Sequence, residues 1–303
     1  MLLKITFLGT SGTTPSVERN PSGILIQFGK ERILFDCGEG TQRQMMIAKT
    51  GFRLDSIFVT HLHTDHFIGL FGLLETLSLN ERKNTLNIYC PSPEFLRYAF
   101  RLFGYENLSF PVEINGLEDG SEVYFDNFKI VAFRTDHIVE SLGYAFIENP
   151  RPGKFNREKA EELGIPPGPL YSKLLRGEAV EIGGRLIPPE AVVGQPRLGR
   201  KIVYTGDTRP IEKTVQISLN ADVLIHDGAF ASELQDWAEE TKHSTSKEAA
   251  EVAKKANANL LILTHISARY SRDFDVLIQE AKEVFENTVI AEDFMSIEVK
   301  YRD

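Results

Sequence analysis

The chain has 303 residues, 42% hydrophobic and 25% charged, with a formal net charge of -9. That apolar share suffices for one large domain or two small ones, and no apolar run approaches the roughly 18 to 20 residues of a membrane span, so a soluble, cytoplasmic globular protein is expected. The acidic balance taken alone argues against a general nucleic-acid binder, and two distant cysteines, Cys37 and Cys90, exclude both a disulfide framework and a CxxC zinc site.

Residues 2–8 alternate as a strand and run into the turn-rich Gly9-Thr10-Ser11-Gly12-Thr13-Thr14-Pro15. Residues 23–28 and 32–37 predict a hairpin about Gly29-Lys30-Glu31, and a helix follows from Thr41 to about Lys49. A buried strand at 56–59 leads into Thr60-His61-Leu62-His63-Thr64-Asp65-His66, and an apolar helix spans about 67–79. A strand at 86–90 and a helix at 93–103 come next. Four close strands, 111–114, 122–125, 129–133 and 143–147, read as an antiparallel meander. From 151 to 199 periodicity fades, apart from a short helix at 157–163, and Pro and Gly crowd in. Strands at 201–204, 223–226 and 260–263, helices at 246–256 and 274–285, and a strand at 295–299 complete the chain. Two stretches of strands and helices in similar order predict an α/β architecture, two sheets face to face with helices outside, an αββα sandwich.

His61 and His63 are two residues apart in extended chain, so their side chains converge on one ion; Asp65 and His66 diverge and serve a second. The other candidate ligands all follow strand ends: His137 after 129–133, Asp207 after 201–204, His265 after 260–263. Loops at one rim of a sandwich bring such residues together. The expected assignment is His61, His63 and His137 on one ion, Asp65, His66 and His265 on the other, and Asp207 bridging. Histidine and carboxylate without thiolate suit Zn2+, while Mn2+ and Fe2+ also tolerate them. Two such cations suit phosphodiester hydrolysis, with Asp65 taking a proton from the attacking water.

His61-x-His63-x-Asp65-His66, His137, Gly206-Asp207-Thr208 and Thr264-His265 together resemble the metallo-β-lactamase superfamily. Gly9-Thr10 with Pro15 and Arg19-Asn20, the stretch from Asp36 to Gln42, His243-Ser244-Thr245 and the stretch from His265 to Tyr270 narrow the resemblance to ribonuclease Z, the endonuclease that trims the 3′ trailer from precursor tRNA. The resemblance implies a single metallo-β-lactamase-like domain over 1–303, two divalent ions, most simply zinc, and a homodimer. It also gives His243 the role of protonating the leaving oxygen. His226-Asp227-Gly228-Ala229 departs from the His-Glu-Ala-Thr common in the family, and puts the pairing of Asp227 with His243 in question. Ser267 and Arg269 would reach a phosphate, the alternative being that they cap the loop after His265.

Residues 150–201 hold ten basic and six acidic residues, a positive segment in an acidic chain. Gly164-Ile165-Pro166-Pro167-Gly168-Pro169-Leu170, then Lys173 and Arg176, resemble the family's protruding, flexible arm, here about 150–199, which holds the tRNA elbow; Gly168, Lys173 and Arg176 are its candidate contacts. Phosphate contacts position an RNA without reading its bases, which is what a basic arm supplies. Other dinuclear hydrolases, such as thioesterases, lactonases or small phosphodiesterases, are the competing class, and a non-catalytic RNA-binding scaffold is another. Trp237, Phe67, Phe71 and His226 are expected to pack in the interior.

Overall fold

The computed structural model describes residues 1–105 and 108–302. The larger of its two compact units comprises residues 1–124, 130–146 and 201 onward. One seven-stranded sheet runs, in spatial order, Ser296–Glu298, Leu3–Gly9, Gly23–Phe28, Glu31–Phe35, Ser56–Phe58, Leu86–Cys90 and Val112–Gly116. A second runs Thr288–Ile290, Leu261–Thr264, Val223–Asp227, Lys201–Tyr204, Leu142–Glu148, Phe128–Arg134 and Glu122–Tyr124.

Strand alternation sends the first sheet's side chains to two destinations. Leu34 and Ile57 join an apolar cluster with Leu70, Leu73, Leu74 and Leu77, the inward stripe of helix Gly69–Leu79. That spacing places all four leucines on one helix face, and burying each contributes roughly 1.5–3 kcal/mol relative to exposure. Phe35 and Phe58, which point the other way, meet Tyr144 of the second sheet with ring centres 5.7 and 5.2 Å apart, and Phe35 also stacks on Tyr204 at 5.9 Å. These rings form the layer between the sheets. Helices Ser246–Lys255 and Asp275–Val284 pack on each other, the first against Val223–Asp227 and Leu261–Thr264, the second against Thr288–Ile290. Cys37 and Cys90 are buried and unpaired, as expected of core residues. No helix among the described residues is long and apolar enough to cross a membrane.

Several expectations change. The strand at Val112–Gly116 leaves the meander and pairs in parallel with Leu86–Cys90 at the edge of the first sheet, because its crossover helix, Pro93–Leu102, returns the chain alongside its own strand. The helix expected from Phe67 begins at Thr64, with His63 at its N-cap. The strand Thr288–Ile290 and the helices Glu212–Ile217 and Gln235–Glu240 are additional; each is too short to show a period in sequence. Trp237 is not interior: 45% of it is exposed.

Residues 125–129 and 147–200 form the second unit. Helices Arg157–Glu162 and Pro169–Leu175, a hairpin of Val180–Ile182 with Arg185–Ile187, and the turn Pro189–Ala191 surround a small core of Ala160, Ile165, Leu174, Val180, Ile187 and Val192.

Candidate active site

The strand Ser56–Phe58 is central, paired in parallel on both sides, so its end at the sheet rim is fixed. Beyond it His61 Nε2 lies 3.0 Å from His63 Nδ1, and His137 Nε2 lies 3.2 Å from the same nitrogen. Two nitrogens each about 2.0–2.1 Å from a tetrahedral metal are roughly 3.3 Å apart. The three ring nitrogens thus stand close to that spacing. Asp65 and His66 occupy the first helical turn, where the Oδ2 of Asp65 is 3.4 Å from Nε2 of both His66 and His265. Asp207 stands between the groups: Oδ2 is 3.6 Å from His61 and 3.3 Å from His265, and Oδ1 is 3.3 Å from His66. All seven candidate ligands therefore meet at one rim.

Three of the imidazoles, those of His61, His66 and His137, are aimed by partners on their far sides. Asp36 receives the His66 Nδ1–H at 2.8 Å, the Tyr204 hydroxyl at 2.7 Å, the Thr60 amide at 2.7 Å and the Thr60 hydroxyl at about 3.0 Å. That hydroxyl in turn faces His61 Nδ1 at 3.0 Å. The Nδ1–H of His137 is directed to the Lys242 carbonyl at 3.1 Å. Fixing the proton on the outer nitrogen leaves the inner one as a lone pair. Asp36 and His265 both have positive φ, 57° and 60°, a conformation that costs non-glycine residues energy and clusters at functional sites. Gly206 completes the turn before Asp207: its φ is 61°, and a Cβ there would sit 2.8 Å from the Thr60 side chain. Gly38 and Gly69 permit a very close approach, since a Cβ on Gly69 would fall 1.8 Å from the Gly38 carbonyl oxygen. That contact lets Cys37 hydrogen-bond its amide to the His66 carbonyl at 2.7 Å and accept from the Gly69 amide at 2.9 Å, tying the ligand-bearing turn to the first sheet.

The residues fit a divalent cation. Asp65 and Asp207 are buried and make no ion pair with Lys or Arg among the described residues. Burial pushes both carboxyls up, but His66 and His265 outweigh it and hold both well below the usual carboxylate range. His66 Nε2 and Asp207 Oδ1, although 3.3 Å apart and buried, have no hydrogen-bond partner among the described residues. An ionised carboxylate and an imidazole nitrogen left facing one another in a dry site are ligands in search of a metal. Groups of His61, His63, His137 and Asp207, and of Asp65, His66 and His265, each present ligand atoms within 4.8 Å of one another.

His243 lies apart from these ligands in role. Helix Gln235–Glu240 ends in a Schellman turn: Lys242 has φ 58°, its amide bonds the Glu239 carbonyl, and the His243 amide bonds the Ala238 carbonyl at 2.8 Å. His243 Nδ1 is 2.9 Å from Asp227 Oδ2, so the shorter carboxylate reaches it directly. Asp227 is itself held by the amides of Thr208 and Ala229, both at 3.1 Å. Burial pulls the His243 pKa down, but the Asp227 charge and hydrogen bond outweigh this and push it up to about 9. Arg209 holds the His243 carbonyl at 2.6 Å and pairs with Glu248, which also closes the capping box of Thr245 on the next helix. His226 is fully buried, its Nδ1 2.8 Å from the Asp227 carbonyl.

Ser267 accepts the Arg269 amide at 3.5 Å and opens the turn Ala268–Tyr270, so it does cap the loop. Both residues also line a cavity together with His243 and His265. Gly168, Lys173 and Arg176 belong to the second unit, outside the cluster; Gly168 precedes helix Pro169–Leu175, and Arg176 pairs with Glu178 at 2.8 Å. Sequence reading gave no role to Asp36, Tyr204, Thr60 or Arg209. Asp36 carries a signal, an acidic residue ending an apolar strand; the others are ordinary strand and loop residues until the fold assembles.

The two helix-flanked sheets and the imidazole–carboxylate rim define a metallo-hydrolase class, and the model of the metallo-beta-lactamase superfamily matches residues 17–265. The chain is 67% identical to a ribonuclease Z of Archaeoglobus fulgidus and 44% identical to one of Myxococcus xanthus, with at least 99% of each chain covered. Among solved structures it is similar to human tRNase Z, short form, at 28% identity and TM-score 0.70, covering 98% of this chain and 100% of that one. A metallo-beta-lactamase fold protein of Bacillus subtilis, at 22% identity and TM-score 0.70, shares the fold. The chain belongs to the ribonuclease Z family.

Proposed function

We infer that the chain is a metal-dependent endoribonuclease that removes the 3′ trailer from precursor tRNA, leaving a 3′-hydroxyl on the tRNA and a 5′-phosphate on the trailer. The observation that carries the reading is the union of a rim of seven candidate ligands with a separately braced His243, whose pKa Asp227 pushes up. His61, His63 and His137 would hold one divalent ion, most simply zinc, Asp65, His66 and His265 a second, and Asp207 both. Bound there, such cations supply the positive charge that acidifies a water and neutralises phosphate oxygens.

Asp65 accepts a proton from the attacking water as the water oxygen bonds to phosphorus. His243 gives its Nε2 proton to the 3′-oxygen as the P–O3′ bond breaks. Asp227 keeps the Nδ1 proton in place, so the donated proton comes from the face turned away from that carboxylate. Ser267 and Arg269 serve the phosphate chain next to the cut, Arg269 being exposed and without an ion pair among the described residues.

The unit of residues 147–200 is the tRNA-binding arm in this reading, with Gly168 as its close-approach point and Lys173 and Arg176 as phosphate partners. A homodimer is part of the proposal: Phe95, Tyr98, Leu102 and Phe103 are exposed along one face of helix Pro93–Leu102 and just past it, an apolar stripe suited to a second copy. A monomeric sedimentation mass with full activity would remove that element. The enzyme works in the cytoplasm, where its substrate is made available.

The test is cleavage of an end-labelled precursor tRNA by metal-loaded wild type and by Asp65→Ala. One cut near the acceptor stem, abolished by chelator and by the substitution, is the expected result. Intact RNA alongside rapid hydrolysis of a thioester or a small phosphodiester would return the chain to the broader hydrolase class.

A further inference from the structure

Two cavities flank the rim and share Thr13. One, of about 540 Å³, is lined by Asp65, Thr64, Pro21 and the helix start at Gly69. The other, of about 390 Å³, is lined by His243, Phe230, Trp237, Ser267 and Arg269. The proton acceptor for the water thus opens to one cavity and the proton donor for the leaving oxygen to the other. In an in-line displacement the attacking and leaving oxygens lie on opposite sides of phosphorus. The nucleoside that carries the leaving 3′-oxygen therefore belongs with His243, in the second cavity.

That cavity is built for a flat, aromatic group. Its volume lies within the usual range for small-ligand sites. Trp237, nearly half exposed, is the chain's only tryptophan. Neither its indole N–H nor the Arg269 guanidinium finds a hydrogen-bond partner among the described residues, so a planar apolar face and a cation both stand free at one opening. The Phe230 ring, buried, meets His243 edge-on at 6.0 Å. Trp237 and His243 are also rigidly coupled. The Thr241 amide and hydroxyl bond the Trp237 carbonyl at 3.0 and 2.7 Å, and the same Schellman turn fixes the His243 backbone. A base resting on Trp237 thereby sets where its own 3′-oxygen falls relative to the His243 ring.

We propose that Trp237 is a stacking platform for the nucleobase of the last nucleotide of the mature tRNA, the one whose 3′-oxygen leaves, with Arg269 on the adjoining phosphate. The proposal rests on the precursor-tRNA reading. Stacking on an aromatic face tolerates any base, which suits an enzyme that meets different bases at this position.

Because the chain has a single tryptophan, its fluorescence reports this site alone. The probe is a precursor tRNA with a non-hydrolysable methylene phosphonate at the scissile linkage, bound to the metal-loaded protein, in one version intact and in another abasic at that last nucleotide. The intact RNA is expected to quench the emission. The abasic RNA should bind by gel shift yet leave the emission near its free value. In cleavage of an ordinary precursor, Trp237→Ala should raise KM on the order of tenfold, the loss expected for one stacked base, and Trp237→Phe should recover most of it. Equal quenching by both RNAs, or none by either despite binding and normal cleavage, overturns the stacking role and leaves the tRNA reading intact. Absence of both binding and cleavage in wild type would remove the reading beneath it.

Discussion

The rim and the second unit solve different problems with opposite means. At the rim, Asp36, His61, His66, Asp207 and Asp227 are buried, and each is held by neighbours within about 3 Å or faces another ligand at little more. In the second unit a core of six small and medium apolar side chains holds up two short helices and a hairpin, while Lys173, Arg176 and Arg185 remain in solvent. A rim that must place charge to a fraction of an ångström tolerates no loose side chain. In the proposed reading the second unit only attracts phosphates, which works through charge that stays hydrated. Substitutions should separate the two regions, those at the rim acting on kcat and metal content and those in the second unit on KM and salt dependence.

The largest effect belongs to Asp65 and Asp207. Asp65→Ala or Asp207→Ala should lower kcat by at least about 10³-fold, because each removes a proposed ligand and, for Asp65, also the proposed proton acceptor. Single-turnover cleavage paired with metal analysis checks this. For Asp207→Ala the metal content should fall as well, and full occupancy in that variant would contradict its placement between the two groups.

His243→Ala comes next, at about 10²- to 10⁴-fold in kcat, with metal content kept because its Nδ1 is held by Asp227 at 2.9 Å and lies farther, 4.0 Å, from Asp207. The pH profile sharpens the point. His243 is charged below a pKa pushed up to about 9, so donor competence is present at neutral pH and is lost as pH rises through that value. Asp227→Asn removes the charge responsible for the upward shift. The alkaline limb of kcat should then move to lower pH, and an unmoved limb would mean that another group sets it.

Asp36→Asn should act through the ligands it aims, lowering metal affinity by about 10- to 100-fold as the His66 Nδ1–H and the Tyr204 hydroxyl lose their shared carboxylate. Competition with a chromophoric chelator measures it directly. Asp36 also shows where sequence reading stops. That these seven candidate ligands would meet at one rim was legible because a run of three histidines and an aspartate after a buried strand is chemically conspicuous, and because each remaining candidate followed a strand end. The sandwich was legible from its two runs of strands and helices. Partners such as Tyr204 and the Lys242 carbonyl were not, since nothing in a strand tyrosine or a backbone oxygen marks it until two sheets pack. Trp237 differs from its sequence expectation for a related reason: an isolated aromatic reads as core, and only the short helix Gln235–Glu240, which has no visible period, turns it outward. The strand Val112–Gly116 reads in sequence as part of the meander yet lies in the first sheet, because parallel pairing with Leu86–Cys90 depends on a crossover that local alternation does not encode.

The smallest effects are expected in the second unit, and they should not be equal. Arg176 already pairs with Glu178, both side chains being at least half exposed, while Lys173 forms no ion pair among the described residues. An exposed pair is weak, but RNA must compete with it for the guanidinium, so Lys173→Ala should weaken precursor binding more than Arg176→Ala. If Lys173 meets one phosphate, its removal lowers the slope of log affinity against log salt by about 1, raises KM and leaves kcat unchanged. Glu178→Gln supplies the opposite sign: it frees Arg176 and removes a negative charge, so binding should tighten at low salt. Filter binding at several salt concentrations reads all three. Should Glu178→Gln weaken binding, or Lys173→Ala leave the salt slope unchanged, this unit's charges would not be what holds the RNA, and the division of labour between it and the rim would fail on the side of recognition.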